Sequence, residues 1–263
     1  MNDNKRDNSN IETLGVTYLG NCIANSKYLH PVFQKDDKIP LFDGKIIIYK
    51  NTPFSINNYI GDLPVQIKTT TKFLNNKKSI YKSIKRKYLE NYFNARGVIY
   101  FYISFNNNQY YIYYSFLSQL KIQKYLKENK NNISVELSEF PKDNMTLFTN
   151  LIIEFYKETK CTASEFPFSL GDLQKLKNAG FDQLSINIST IGYKNPLDRL
   201  YDHPVYIHAK NTTIGIEITI DEKYFKFGRQ ENNPIKVNNK IYYNHIDIIN
   251  DKDKMVYHFG KNI

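Results

Sequence analysis

The chain has 263 residues, of which 41% are hydrophobic and 24% charged, and it carries a formal net charge of +10 with a pI near 9.2. That length buries a real core and is comfortable for two domains. No run approaches the ~18 consecutive apolar residues that a membrane helix needs, and the polar start from Met1 to Asn8 lacks the apolar middle of a signal peptide.

Two cysteines, Cys22 and Cys161, supply neither a disulfide framework nor a metal cluster, so both read as reduced thiols. The expectation is a cytoplasmic protein with no membrane partner. Residues 1–10, almost all charged or Asn/Ser, are expected to be disordered. From Ile11 to about Ala24, the apolar positions Ile11, Leu14, Tyr18 and Ile23 suit a first helix, which Gly15 and Gly20 weaken. Glu12 is the one carboxylate on that helix, and an acid near a helix N-terminus also has the macrodipole to explain it.

His30 to Gln34 reads as a strand, and Asp36-Asp37-Lys38 as its turn. Two β-branched stretches follow, Leu41 to Tyr49 and Leu63 to Thr70, joined by a connection with turn chemistry throughout. Both carry polar groups where a buried strand should not. Side chains alternate along a strand, so Gln66 and Lys68 share one face while Val65, Ile67 and Thr69 take the other. Pairing of the two strands brings Asp43 beside Gln66 and Lys68. An acid, an amide and an ammonium at a sheet rim suit a hard cation and a phosphodiester. The plain alternative is an Asp-Gly turn before a strand and an edge lysine that discourages aggregation.

Asp43-Gly44 at a strand start, followed by Val65-Gln66-Ile67-Lys68, resembles the PD-(D/E)xK nuclease superfamily. More narrowly it is similar to the Gln-x-Lys variant of Mrr-like restriction endonucleases and of nuclease modules in anti-phage defence proteins. The resemblance covers about the first half of the chain. It implies an α/β fold, an αβββαβ restriction-endonuclease-like mixed sheet flanked by helices, and Mg²⁺-dependent hydrolysis of DNA. Within it Asp43, Gln66 and the Ile67 carbonyl would hold Mg²⁺, Lys68 would orient or deprotonate the attacking water, and Glu12 would complete the set. A neutral amide replaces the family's usual acid at position 66. That leaves an active Gln-x-Lys nuclease, or a degenerate nuclease fold that only binds nucleic acid or protein.

Downstream, Lys72, Lys77, Lys78, Lys82, Lys85 and Arg86 surround a pattern read as a helix from about Ser79 to Arg96, with Ile80, Ile84, Leu89 and Phe93 as its apolar stripe. These cations are the expected phosphate contacts beside the motif. The same chain is rich in Asn, Lys, Ile and Tyr and has no Trp, a bias that A/T-rich codon usage produces without function.

Val98 to Phe105 is nearly continuous in apolar residues, which predicts a central strand covered on both faces. Tyr110 to Tyr114, a helix from about Phe116 to Lys130, and a strand from Ile133 to Phe140 complete an expected first domain over residues 11–140. The tyrosines of 100–114 suit either base stacking or sheet core. Residues 141–263 then read as a smaller α+β, β-rich domain with two helices and five strand patterns, and its histidines have no metal-ligand spacing. The sequence stops straight after a strand-like segment, which predicts further chain beyond Ile263 and a protein partner or oligomer contact through the C-terminal region.

Overall fold

The computed structural model describes residues 8–34, 41–72, 74, 78–106, 109–161, 173–186, 188–194, 198–223, 226–229, 235–237, 240–242, 246–251 and 254–259. Contacts divide the chain into two units, residues 1–167 and 168–263. The fold is mixed α/β: a mostly antiparallel seven-stranded sheet flanked by helices, and a second unit of small antiparallel sheets. Among the described residues no helix is long and apolar enough to cross a membrane.

The first unit begins with helix α1 (Asn8–Ala24) and a meander of β1 (Leu29–Phe33), β2 (Gly44–Tyr49) and β3 (Tyr59–Thr70), antiparallel throughout. The chain then runs through β4 (Ser79–Lys85) and α2 (Arg86–Asn94) and lays β5 (Val98–Asn106) parallel to β3. Strand β6 (Gln109–Leu117) follows, then α3 (Gln119–Leu126), β7 (Asn132–Glu139) and α4 (Met145–Cys161). The sheet order is β1-β2-β3-β5-β6-β7-β4, so β5 occupies the middle, as its unbroken apolar run predicted.

One face of this sheet carries the larger core. Val16, Leu19 and Ile23 of α1 and Phe148, Leu151, Ile152 and Phe155 of α4 pack on Ile46, Ile48, Val65, Ile67 and Phe101. Gly15 permits the approach, since a Cβ there would lie 2.8 Å from Thr69 Cγ2. The glycine that weakened the helix expectation is the one that lets the helix lie against β3. On the opposite face Leu89 and Tyr92 of α2 and Ile122 of α3 cover Val98, Tyr100, Ile133, Val135 and Leu137. Strands β1 and β2 alternate buried and more exposed residues, so their second face looks to solvent.

One expectation is corrected. The helix read from Ser79 to Arg96 is strand β4 followed by a shorter helix. Ile80 and Ile84 are four apart, a spacing that puts both on one side of a helix and equally on one side of a strand. Pairing with β7, where Ile80 faces Leu137 and Ile84 faces Ile133, decides for the strand. The contact units divide at 167, where the sequence reading divided domains at 140, and α4 packs in the first unit's core. Ser26 Oγ and Thr149 Oγ1, 2.8 Å apart, tie α4 to the turn that ends α1.

The second unit contains α5 (Leu173–Asn178), β8 (Gln183–Ile186), α6 (Asp198–Asp202), β9 (Val205–Asn211) and β10 (Ile216–Lys223), with β8-β9-β10 forming one sheet. Gly180, at φ +84°, ends α5 as expected: its N–H and that of Phe181 bond back to Lys177 and Leu176. Further on, β11 (Lys226–Arg229), β14 (Ile246–Asp251) and β15 (Lys254–Phe259) form a sheet, and β12 (Ile235–Val237) and β13 (Lys240–Tyr242) form a hairpin where a single strand over 235–243 was expected.

Candidate active site

Strand β2 ends against β3 at Gly44–Val65, so beyond Val65 the outer edge of β3 has no strand partner among the described residues. Asp43 caps that edge. Its N–H donates to the Val65 carbonyl at 2.9 Å, and its Oδ2 accepts the Ile67 N–H at 2.7 Å. The carboxylate thus replaces the missing strand at one hydrogen bond, and a charged acceptor makes such a bond worth roughly 1.5–3 kcal/mol. Gly44, at φ +146°, faces the Val32 carbonyl so closely that a Cβ would lie 2.3 Å from it, which explains the glycine after Asp43.

Gln66 is buried, and its side chain leaves β3 on the face opposite α1 and α4. Its Nε2 donates to Asp43 Oδ2 and lies 3.5 Å from the Ile67 carbonyl oxygen. Its Oε1 accepts from the Tyr92 hydroxyl at 3.3 Å. Tyr92 comes from the buried side of α2, and Tyr100 is the register partner of Gln66 across the parallel β3–β5 pair. Burial holds both hydroxyls well above the ordinary tyrosine range, and the nearby Asp43 charge adds to the effect. Tyr92 is therefore a neutral hydroxyl at any physiological pH, able to donate to the amide oxygen or accept from the amide nitrogen.

The expected trio is only partly joined. Asp43 and Gln66 are in contact, and Ile67 presents its N–H and C=O beside them. Lys68 lies on the same strand face as Gln66 but is exposed, and among the described residues its ammonium makes no ion pair. Glu12 stays apart. It is exposed on α1, whose packed side meets the other face of β3, and no hydrogen bond or ion pair joins it to Asp43 or Lys68 among the described residues. Among the described residues no group of three or more His, Cys, Asp or Glu side chains could hold a metal.

The donor set is nonetheless compatible with one hard cation. Asp43 Oδ2 and the Ile67 carbonyl both converge on the Gln66 amide nitrogen, and half a turn of that amide exchanges nitrogen for oxygen. Three oxygens then share one spot. Mg²⁺ takes one or two carboxylates and keeps several waters, so a single carboxylate with two neutral oxygens meets its minimum.

The cations downstream separate into groups. Lys82 Nζ sits 4.0 Å from the centroid of the Tyr102 ring, and Tyr102 is the register partner of Lys68, so the two lysines share the face of Gln66. Lys72 and Lys78 are exposed, and Ser104 Oγ holds the Lys72 carbonyl at 2.6 Å. Lys85 is exposed on the opposite parity of β4 from Lys82. Arg86 is committed within the fold: it bonds Glu90 at 2.9 Å and the carbonyls of Glu128 at 2.9 Å and Leu126 at 3.0 Å, closing the end of α3. These bonds use three of its five N–H donors and leave two for any outside acceptor. Lys77 lies outside the described residues.

Sequence reasoning missed Tyr92 and Tyr100. The only signal for Tyr92 is its place three residues after Leu89 on the buried side of α2; that for Tyr100 requires the register with β3. Comparisons of the chain with protein-family models, with curated proteins and with solved structures find no match.

Proposed function

We propose that the first unit is a Mg²⁺-dependent DNA endonuclease that hydrolyses phosphodiester bonds, of the kind that serves as an effector in anti-phage defence. The observation that carries this reading is the convergence of Asp43 Oδ2 and the Ile67 carbonyl on the Gln66 amide, on the strand face of Lys68, which has no ion pair among the described residues. The order of elements supports it as well. Helix, three antiparallel strands, helix and a strand parallel to the third is the restriction-endonuclease-like αβββαβ order, here with β4 inserted before the second helix.

Asp43, the Ile67 carbonyl and, after the amide turns, Gln66 Oε1 would hold Mg²⁺, which supplies a Lewis acid for the phosphoryl oxygen and lowers the pKa of water. Asp43 keeps one carboxylate oxygen without a hydrogen bond among the described residues, available to that role. Lys68 orients the attacking water and stabilises the charge that develops on the phosphate. Tyr92 keeps the amide hydrogen-bonded in either orientation. Lys72, Lys78 and Lys82 position the DNA backbone without reading sequence.

One observation favours a second reading, a degenerate nuclease fold that binds nucleic acid or protein without cutting. The Gln66 N–H already satisfies Asp43, so the site is complete without a cation. Supercoiled plasmid incubated with the purified chain and Mg²⁺ separates the two. Endonuclease action gives nicked and linear product, and Asp43→Ala and Lys68→Ala each reduce the rate by about 10²–10³. Plasmid and circular single-stranded DNA that are both retarded on a gel but uncut in Mg²⁺ and in Mn²⁺ establish the binding module instead.

A further inference from the structure

Beyond the site itself, the face of the sheet that carries Gln66 continues over β1, β2 and the first half of β3, where its side chains are half-buried or exposed among the described residues. An aromatic cluster stands on it. Phe54 stacks on Tyr49 at 4.7 Å with 26° between planes, Tyr59 meets Tyr49 edge-on at 6.3 Å, and His30 lies 5.5 Å from Phe54. Phe54 and Tyr59 are 41% and 44% exposed, too open for a sealed core and too contiguous to be scattered surface apolar residues. The loop that carries Phe54 is held by Asn58, whose side chain donates to the Pro53 carbonyl at 2.9 Å and whose carbonyl accepts the Lys50 N–H at 2.8 Å. The rings are therefore presented on fixed backbone.

The charges around the cluster narrow the occupant. Lys45 and Asp62 neutralise each other at 3.0 Å in the middle of this face, and Tyr59 donates to the same carboxylate. Lys68, at the Gln66 end, and Lys50, in the turn after Tyr49, are exposed, with no ion pair among the described residues. From Gln66 back to Tyr59 the strand covers about 20 Å at ~3.3 Å per residue. A floor of aromatic faces, bounded by cations and leading to a phosphodiester site, fits a chain of phosphates whose bases are free to stack. A duplex keeps its bases stacked on one another and offers these rings only its backbone.

We infer that this open aromatic face is a stacking platform for single-stranded DNA, which feeds an unpaired strand to the site at Asp43. The inference rests on the hydrolase reading for its destination and adds the strandedness of the substrate. Each ring stacks on one base, and loss of a ring weakens single-strand binding about tenfold while leaving duplex binding unchanged.

The protein has no tryptophan, so Phe54→Trp places a lone fluorescent reporter on the platform. Oligo(dT) of about 20 nucleotides, added in EDTA, is expected to quench that fluorescence, and the matched duplex to leave it unchanged. Phe54→Ala and Tyr59→Ala are expected to lower oligo(dT) affinity, read by anisotropy, while Tyr59→Phe retains it because the ring remains. Absence of quenching, equal quenching by duplex, or alanine variants that bind oligo(dT) like the parent overturns the platform and leaves the cluster as packing for the 51–58 loop. Binding is read without divalent cation and cutting with it, so a failed platform and a failed hydrolase give different results.

Discussion

Each unit buries polar side chains in its sheet, and one from each makes an instructive contrast. Gln66 in the first unit and His208 in the second are 6% and 7% exposed, and both sit on strands with neighbours to either side. His208 Nδ1 pairs with Thr219 Oγ1 at 3.1 Å on the adjacent strand, and Glu217 lies 3.9 Å away. One neutral hydroxyl meets one ring nitrogen. Gln66 instead gathers a carboxylate, a backbone carbonyl and a buried tyrosine, at a strand edge that lacks its partner and beside a lysine with no counter-ion among the described residues. Burial of a polar group does not mark a site. An excess of charge and acceptor capacity around it, beyond what packing needs, does.

Gln66→Leu against His208→Leu tests the contrast most strongly. Leucine at 66 strips Asp43 and the buried Tyr92 hydroxyl of a partner, so unfolding in urea is expected to show a loss of about 2–3 kcal/mol. Leucine at 208 removes one neutral hydrogen bond and leaves only Thr219 wanting, for about 1 kcal/mol. Equal losses would erase the distinction.

Gln66→Glu sharpens the first half of the comparison. A second carboxylate beside Asp43 restores the family's acid and is expected to raise Mg²⁺ affinity by about tenfold, seen as a larger thermal shift on adding the metal. Without metal the two like charges raise a carboxyl pKa above its unfolded value, so stability is present below about pH 4.3 and lost as pH rises through the raised value. The parent chain has no such pair and should show no corresponding loss in that range.

The smallest effect belongs to His208. Burial lowers its pKa, and Glu217 opposes that lowering without reversing it. The unfolded chain then binds more protons than the folded one below about pH 6.5, so stability falls as pH drops from 6.5 towards the lowered value. Denaturation midpoints of the second unit are expected to fall slightly between pH 7 and 5, and His208→Gln to flatten that dependence. No such slope in the parent removes the buried, neutral imidazole.

Much of the site's local chemistry is legible in the residues. The strands around Asp43 and Gln66, the partition of Gln66 and Lys68 from Val65, Ile67 and Thr69, and the central position of β5 all follow from β-branched runs and alternation. For Arg86 the sequence shows a cation beside other cations and gives no sign that Leu126 and Glu128, some forty residues away, supply carbonyls that bond it. Glu12 was assigned to the site through family likeness alone, and nothing in α1 itself says which side of the sheet the helix covers. The Ser79–Arg96 segment failed for a different reason, since its apolar spacing satisfies two periods at once.

What the sequence determined by itself is parity: covalent geometry makes neighbouring side chains on a strand point to opposite faces, so Gln66 and Lys68 had to share one. Tertiary structure decided which face is covered, that β2 stops at Gly44 and leaves the edge to Asp43, and that Tyr92 and Tyr100 close round the amide. Those choices depend on contacts between residues far apart in the chain. They are settled only when α1 and α4 bury one face of the sheet and leave the other to α2, α3 and solvent.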